Sequence, residues 1–289
     1  MILRSTLLIV FSLVAVPVEA FAADRVITNP KLSKNDARFD YPLLLIRSAM
    51  QRTEAEYGAF SIERFSSRVT RARALKELGV GNLTVYAAPT RPQWEAEAIP
   101  VRIPIRKGIL GYKLLLIHKD DQDRFDNVQT LDDLKALRLG SGSQWTSSAA
   151  YRKLGIKVHG GSKYEPLFGM LAAKRFDYFP RGVNEVFPEM EARKDSHKTL
   201  VIATGLAVYI PQPSYFFVSP KYPQLANRIQ TGLEAMQADG TLERLFWRYH
   251  HSAIEKADLK NRRIIKMENL NLPPGTPFEK SHLWFDPSS

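Results

Sequence analysis

Apolar residues fall into short runs separated by polar breaks, and two periods recur along the chain. Phe60 to Phe65 (FSIERF) and Ile99 to Ile105 alternate apolar with polar positions, the period of a half-buried strand. Leu83 to Ala87 (LTVYA), Tyr112 to His118 (YKLLLIH) and Tyr215 to Val218 (YFFV) are brief continuous apolar runs, which fit strands covered on both faces. Shorter runs at Val26 to Thr28, Lys157 to His159, Phe176 to Phe179, Leu200 to Thr204 and Ala207 to Tyr209 predict further strands, with Pro180 as a stop.

Helical spacing fills the intervals. Asp40-Tyr41-Pro42 opens a helix with proline in its first turn, Leu43, Leu44, Ile46 and Met50 give it an apolar face, and Gly58 ends it. Val69 to Leu78 is a basic helix stopped by Gly79-Val80-Gly81. Thr130-Leu131-Asp132-Asp133 carries a hydroxyl cap and acids for a first turn. Ser147 to Leu154, Tyr164 to Arg175, Asn184 to Ala192 and Thr241 to His250 read as helices, as does the stripe Leu225, Ile229, Leu233 and Met236 before Gly240. Lys119 to Asp126 reads as a charged loop, Gly140 to Ser143 as a Gly/Ser loop, and the tail from Leu272 as irregular. Strands alternating with helices predict an α/β fold with mixed, mostly parallel sheets.

The first 22 residues have a different pattern. Arg4 precedes an apolar core from Leu7 to Val16, and Ala20-Phe21-Ala22 is a small-x-small site that would leave Ala23 as the mature N-terminus. The segment therefore reads as a cleaved export signal, and the periplasm is the expected compartment. Composition narrows the rest. Hydrophobic residues make up 44% and charged residues 25%, which excludes wholesale disorder. The net charge of +11 is spread along the chain among acids, with no nucleic-acid signature, so no nucleic-acid partner is expected. The absence of cysteine excludes disulfides, thiol nucleophiles and Cys-ligated metals.

The ordered set of motifs carries a resemblance. After the Leu83-Thr84-Val85 strand come Thr90-Arg91, Ile103-Pro104-Ile105-Arg106-Lys107-Gly108 and Gly111-Tyr112. Leu131-Asp132-Asp133-Leu134, the Gly140 to Ser143 loop and Leu171 to Asp177 follow, then Asp239-Gly240-Thr241-Leu242 before a final helix. This order resembles the family 3 extracellular solute-binding proteins over residues 25 to 250, in a divergent branch with Phe179-Pro180-Arg181-Gly182 and a Tyr-Phe-Phe-Val return strand. The resemblance implies a type II periplasmic binding protein-like fold with two lobes and two crossover strands, here near Ile117 to Lys119 and Ile210 to Ser214. It implies a discontinuous first lobe of residues 23–117 and 216–289 and a second lobe of residues 118–215. It further implies a small amino-acid-like or anionic ligand trapped by hinge closure, and a permease or sensor as partner. A monomer without cofactor or metal is expected.

Candidate contacts follow. Arg91 stands at a strand end beside Thr90, in a neighbourhood where the family often holds an Arg for a ligand carboxylate; the planar fork suits bidentate contact. Here Thr90 and Arg91 are adjacent where the family spaces them, and the competing reading is a surface Arg held open by Pro89 and Pro92. Ser141, Ser143, Trp145 and Thr146 lie on a strand-to-helix loop whose amides and hydroxyls suit an anion, or else form an ordinary capped turn. Arg181 follows a strand's carboxyl end, where α/β sheets place ligands, and its competing partner is Glu185 one helical turn on. An Arg where relatives often carry an acid shifts the expected ligand toward extra negative charge. Tyr41, Arg106 and Tyr215 sit at element ends and are weaker candidates, since aromatics there are more often core.

Enzyme signatures fail. No Gly-x-Ser-x-Gly elbow, His-x-x-x-His pair or phosphate-binding Gly-Lys-Ser/Thr occurs. The expected function is a periplasmic solute-binding protein. The alternative is a periplasmic enzyme or cell-envelope interaction protein on the same scaffold.

Overall fold

Strands account for the layout. The structure, a computed structural model, describes residues 23–31, 39–67, 69–143 and 145–288; the expected leader lies outside them. The described residues form β1 (Asp24–Thr28), β2 (Phe60–Arg64), β3 (Val85–Pro89), β4 (Ile99–Val101), β5 (Tyr112–His118), β6 (Arg138–Gly142), β7 (Lys157–Gly161), β8 (Tyr178–Gly182), β9 (Leu200–Tyr209), β10 (Ser214–Val218) and β11 (Arg263–Lys266). Among these residues no helix is long and apolar enough to cross a membrane.

The first group of strands is one layer made in two ways. β10 lies antiparallel between β3 and β4, with Tyr215 opposite Ala88 and Phe217 opposite Pro100. β1 and β2 pair in parallel, Val26 opposite Ile62. Side chains join β1 to β3. Thr84 Oγ1 accepts from Ile27 N–H at 2.8 Å, and the Asn29 amide accepts from Ala87 N–H at 2.8 Å and donates to Ala87 C=O at 3.2 Å. Asn29 is 2% exposed, so its amide satisfies backbone groups that water cannot reach. One face of the layer packs Val26, Val85 and Phe216 under the helices Asp40–Arg52 and Pro223–Ala238. The other packs Tyr86, Tyr215 and Phe217 with Trp94 and Leu78.

The second sheet runs β11-β9-β5-β8-β6-β7. β5, buried along its whole length, is antiparallel to both neighbours, while β6 is parallel to β7 and β8 and β11 is parallel to β9. Leu114 and Leu116 face Phe168, Phe179 and Phe246, and Leu115 and Ile117 face Phe125, Leu134 and Tyr151.

Several expectations need correction. β5 pairs entirely within the six-stranded sheet, His118 opposite Leu200, so the first crossover is not at Ile117 to Lys119. The chain passes between sheets over residues 102–111, where Pro104 and the positive φ of Lys107 (47°) and Gly108 (70°) interrupt pairing. The second crossover, residues 210–213, lies beside it: Ile105 N–H donates to Ser214 C=O at 3.0 Å and Ile210 N–H to Gly111 C=O at 3.1 Å. Leu200–Tyr209 is one strand rather than two, because a register shift opposite Leu114 and Leu116 takes up Gly205 at φ +62°. β8 runs through Pro180, since its pairing with β6 is confined to Leu139–Tyr178 and leaves no further ladder on that edge to interrupt. Gly140 and Ser141 belong to β6, not to a loop. The charged stretch after His118 is a turn, Lys119–Asp121, and a helix, Gln122–Asp126, that buries Phe125 completely. The cap at Thr130 forms as expected: Asp133 N–H donates to Thr130 Oγ1 at 3.2 Å and Thr130 N–H to Asp133 Oδ2 at 2.9 Å.

The tail is tied to both crossovers. Asn269 Nδ2 donates to Pro211 C=O at 2.8 Å, and Phe285 N–H donates to Lys107 C=O at 2.7 Å. A Cβ on Gly108 would lie 2.6 Å from the Trp284 ring, so that turn must be glycine. Leu283 joins the core of the first layer and Phe285 that of the second sheet.

Candidate ligand crevice

The carboxyl end of β3, and the carboxyl end of β8 beside the start of β5, lie at the crossover Pro211-Gln212-Pro213, which its prolines hold extended. Pro213 C=O accepts from Thr90 N–H at 3.0 Å, and Gln212 Oε1 accepts from Lys113 Nζ at 3.3 Å. The end of the first layer and the edge of the second sheet therefore meet at this tripeptide.

Lys113 is 9% exposed and stands opposite Gly182, which has no side chain to block it. Burial pushes its pKa down to about 8; Glu185 and Glu189 oppose the fall, and Arg181 and Arg71 add to it. Glu185 opens the helix Val183–Glu191, accepts from Gly182 N–H at 3.3 Å and lies 3.0 Å from Arg181 Nη2. Burial pushes its carboxyl up, but Arg181, Lys113 and Arg106 outweigh that and hold it below the ordinary value. Its side chain is nevertheless 39% accessible. A partly exposed carboxylate that feels Arg181, Lys113 and the crossover residue Arg106 faces the space beside Gln212, and that space is the candidate crevice.

Arg181 is spent within its own sheet. Its Nε and Nη2 donate to Glu189 at 2.7 and 2.6 Å, and its guanidinium stacks 4.9 Å from Trp145, 5.0 Å from Phe179 and 5.5 Å from Tyr164. Tyr164 Oη donates to Glu189 at 2.6 Å and completes the clamp. Burial alone would lower the Arg181 pKa, but Glu189 and Glu185 raise it. The extra-anion argument drawn from Arg181 is thereby removed, because two carboxylates answer its charge.

Tyr41 is fully buried, and its hydroxyl has no hydrogen-bond partner among the described residues. Arg106 lies over its ring at 5.1 Å and places Nη1 3.3 Å from His250 Nε2. A guanidinium only donates, so His250 accepts through Nε2 and is neutral, with its proton on Nδ1. Burial and then Arg106 push the His250 pKa down to about 3. Arg91 is half-buried over the Trp94 ring at 5.9 Å, and burial lowers its pKa. Among the described residues no carboxylate or other acceptor holds its guanidinium.

The remaining candidates serve the fold. Thr90 Oγ1 donates to Glu95 Oε1 at 2.6 Å. Ser141 is 2% exposed and 2.6 Å from Ser148 Oγ, which also lies 2.7 Å from Gly142 C=O; with one proton per hydroxyl, Ser141 donates to Ser148 and Ser148 to the carbonyl. Two loop amides are occupied too, Ser143 N–H by Gly161 C=O at 2.9 Å and Trp145 N–H by Gly142 C=O at 3.0 Å. Trp145 stacks on Phe179 at 5.9 Å, as a wall for Arg181. Tyr215 belongs to the aromatic core with Trp94 and Phe217. The side chain of Thr146, which opens the helix Thr146–Lys153, lies outside the described part of the structure. Sequence reading missed Lys113, Glu185 as a lining group, and Gln212. The signal for Lys113 was a lone charge near the start of the apolar run YKLLLIH.

A separate depression, about 570 Å³, is lined by Asp24, Arg25, Thr84 and Tyr222. It lies at the amino ends of β1 and β3, the opposite end from that where α/β sheets bind ligands.

No protein-family model matches the sequence, and no curated protein matches it. Solved structures do match in fold. One is the probable amino-acid ABC transporter extracellular-binding protein ytmK from Bacillus subtilis, 14% identical, with a TM-score of 0.57 over 79% of this chain and 97% of that one. Another is an ancestral arginine-binding protein bound to arginine, 17% identical, with a TM-score of 0.52 over 78% and 97%. A third is the ancestral amino acid-binding protein AncCDT-1, a precursor of cyclohexadienyl dehydratase, 16% identical, with a TM-score of 0.52 over 78% and 95%. The chain has the two-lobed, mixed α/β periplasmic binding protein-like fold.

Proposed function

We propose that this chain is an exported solute-binding protein of the family 3 type. It captures a small polar, amino-acid-like ligand between two lobes and presents it to an ABC-type permease or a sensor. One lobe is built on β1 to β4 with β10, the other on β5 to β9 with β11. The observation that carries the reading is the candidate crevice around Gln212, where the end of β3 and the end of β8 beside the start of β5 meet and the water-reached Glu185 lies beside Arg181 and within the field of Lys113. The neighbours' amino-acid ligands support the ligand class, and the pattern of residues 1–22 supports export.

Thermal unfolding against the L-amino acids, dicarboxylates and short peptides tests the proposal. A true ligand at a hundred times its Kd stabilises the folded chain by about 2.7 kcal/mol, a rise of roughly 5 °C or more in Tm. No shift with any of them, and no small molecule in the mass spectrum of the purified protein, would sink it.

A further inference from the structure

The charges around the crevice select among amino acids. At the second sheet's edge two cations, Lys113 and Arg181, stand against two carboxylates, Glu185 and Glu189. Arg181 occupies both carboxylates by direct contact, whereas Lys113 reaches neither within ion-pair distance. An ammonium has three N–H donors, and Lys113 spends one, on Gln212. Arg91 follows Thr90, whose N–H reaches Pro213 of the same crossover at 3.0 Å, and its guanidinium has no acceptor among the described residues. Arg71 and Arg106 add positive potential at Lys113 and Glu185 respectively. Lys113 and Arg181 balance Glu185 and Glu189, while Arg91, Arg71 and Arg106 leave the surroundings positive, and two cationic heads are left with unused donors beside one water-reached carboxylate.

Resting on the solute-binding reading, we propose that the crevice takes an amino acid with a second carboxylate, its two acid groups held by Lys113 and Arg91 and its ammonium by Glu185. A net charge of −1 offsets part of that excess, and each unspent group gains a partner. A side-chain amide would leave the enclosed Lys113 ammonium without a counter-charge, which is costly away from water. A basic side chain would bring another cation beside Lys113, Arg71 and Arg106.

Titration calorimetry of the purified protein with L-glutamate, L-aspartate, L-glutamine and L-arginine decides the matter. One of the two acidic amino acids is expected to bind at least about thirtyfold more tightly than glutamine or arginine. Lys113→Met should weaken binding of the acidic amino acid far more than that of glutamine and so abolish the preference, and Lys113→Arg should restore part of it. The comparison of ligands on the unaltered protein needs no variant, so misfolding of Lys113→Met leaves the test intact. Tightest binding of glutamine or arginine, or an acidic preference indifferent to Lys113→Met in a folded variant, overturns the assignment and leaves solute binding standing. Binding of none of the four, with another solute raising Tm, also overturns it. Failure of every solute overturns the underlying reading as well.

Discussion

Arg91 and Arg181 occupy matching places. Arg91 lies two residues beyond the end of β3 and Arg181 is the penultimate residue of β8; each precedes a helix, and each has a glutamate four residues on, Glu95 and Glu185. Their states are opposite. Arg181 is gripped by Glu189 and Glu185 and stacked among aromatic rings, while Arg91 has, among the described residues, the Trp94 face and no carboxylate. The cause is competition for the carboxylate. Glu95 accepts from Thr90 Oγ1 at 2.6 Å and from Arg102 at 2.7 and 3.2 Å, so both its oxygens are taken. The lesson is that identical local spacing does not fix a guanidinium's role. What other donors do to the shared glutamate decides whether the arginine becomes scaffold or remains available to a ligand.

The largest effect should come from removing the scaffold arginine. Arg181→Met leaves Glu189, 13% exposed, and Glu185 without their cation, and is expected to destabilise the fold by about 3 kcal/mol in denaturant unfolding. Adding Glu189→Met should recover much of that loss, because an apolar pair replaces the ion pair. A loss below about 1 kcal/mol would mean that Arg181 is no more structural than Arg91.

Arg91→Met is the mirror test. Stability should stay within about 0.5 kcal/mol, since no ion pair is broken. Affinity for the acidic amino acid should fall about thirtyfold, roughly 2 kcal/mol, because the ligand loses a charge-assisted partner. Calorimetry on the folded variant reads both.

How much of this contrast was visible in the amino acids follows from what each side chain's partners are. The strand Tyr112–His118 was legible to the residue, because seven consecutive positions are buried and four of them are Leu or Ile. The cap at Thr130 was legible because its partner Asp133 is three residues away. The helix Pro92–Glu97 was missed: its prolines looked like a loop, and only the burial of Trp94 against Tyr86 and Phe217 repays the turn. In the site, Arg91, Arg106, Arg181 and Tyr41 showed themselves as polar or aromatic groups at element ends. Lys113, Glu185 and Gln212 did not, because their meaning depends on partners brought together by the crossovers. Nor did the sequence reveal that Thr90 and Arg102 consume Glu95.

Lys113 sharpens the comparison through pH. Its pKa in the folded chain is about 8 against an ordinary 10.5, set by burial, with Glu185, Arg181, Glu189 and Arg71 as its charged surroundings and Gln212 as its hydrogen-bond partner. Above pH 8 it loses the charge that a ligand carboxylate needs, so affinity should fall by up to about tenfold per pH unit. Stability of the ligand-free chain has the opposite sign. Between the two values the unfolded chain holds the proton that the folded chain has released, so stability rises with pH across that window. Lys113→Met should flatten both slopes, measured by calorimetry and by denaturant midpoints. A falling stability in the same window would place the ammonium in a paired environment and undo the contrast with Arg181.

The smallest effect tests the cause of the contrast itself. If Arg91 is available because Arg102 and Thr90 hold Glu95, then loosening that hold should let Glu95 swing to the arginine four residues before it. Arg102→Met removes the two guanidinium contacts of a pair whose Arg side chain is 45% exposed but whose Glu95 is 7% exposed, so stability should fall by about 1–2 kcal/mol, less than for Arg181→Met because Thr90 still donates to Glu95. Ligand affinity should fall about two- to fivefold, because Glu95 now competes with the ligand carboxylate for Arg91. Restoring a neutral competitor with Arg102→Met and Glu95→Gln together should return the affinity. If Arg102→Met leaves binding untouched while Arg91→Met weakens it, the availability of Arg91 is set by the backbone at the strand end and not by competition for its neighbouring carboxylate.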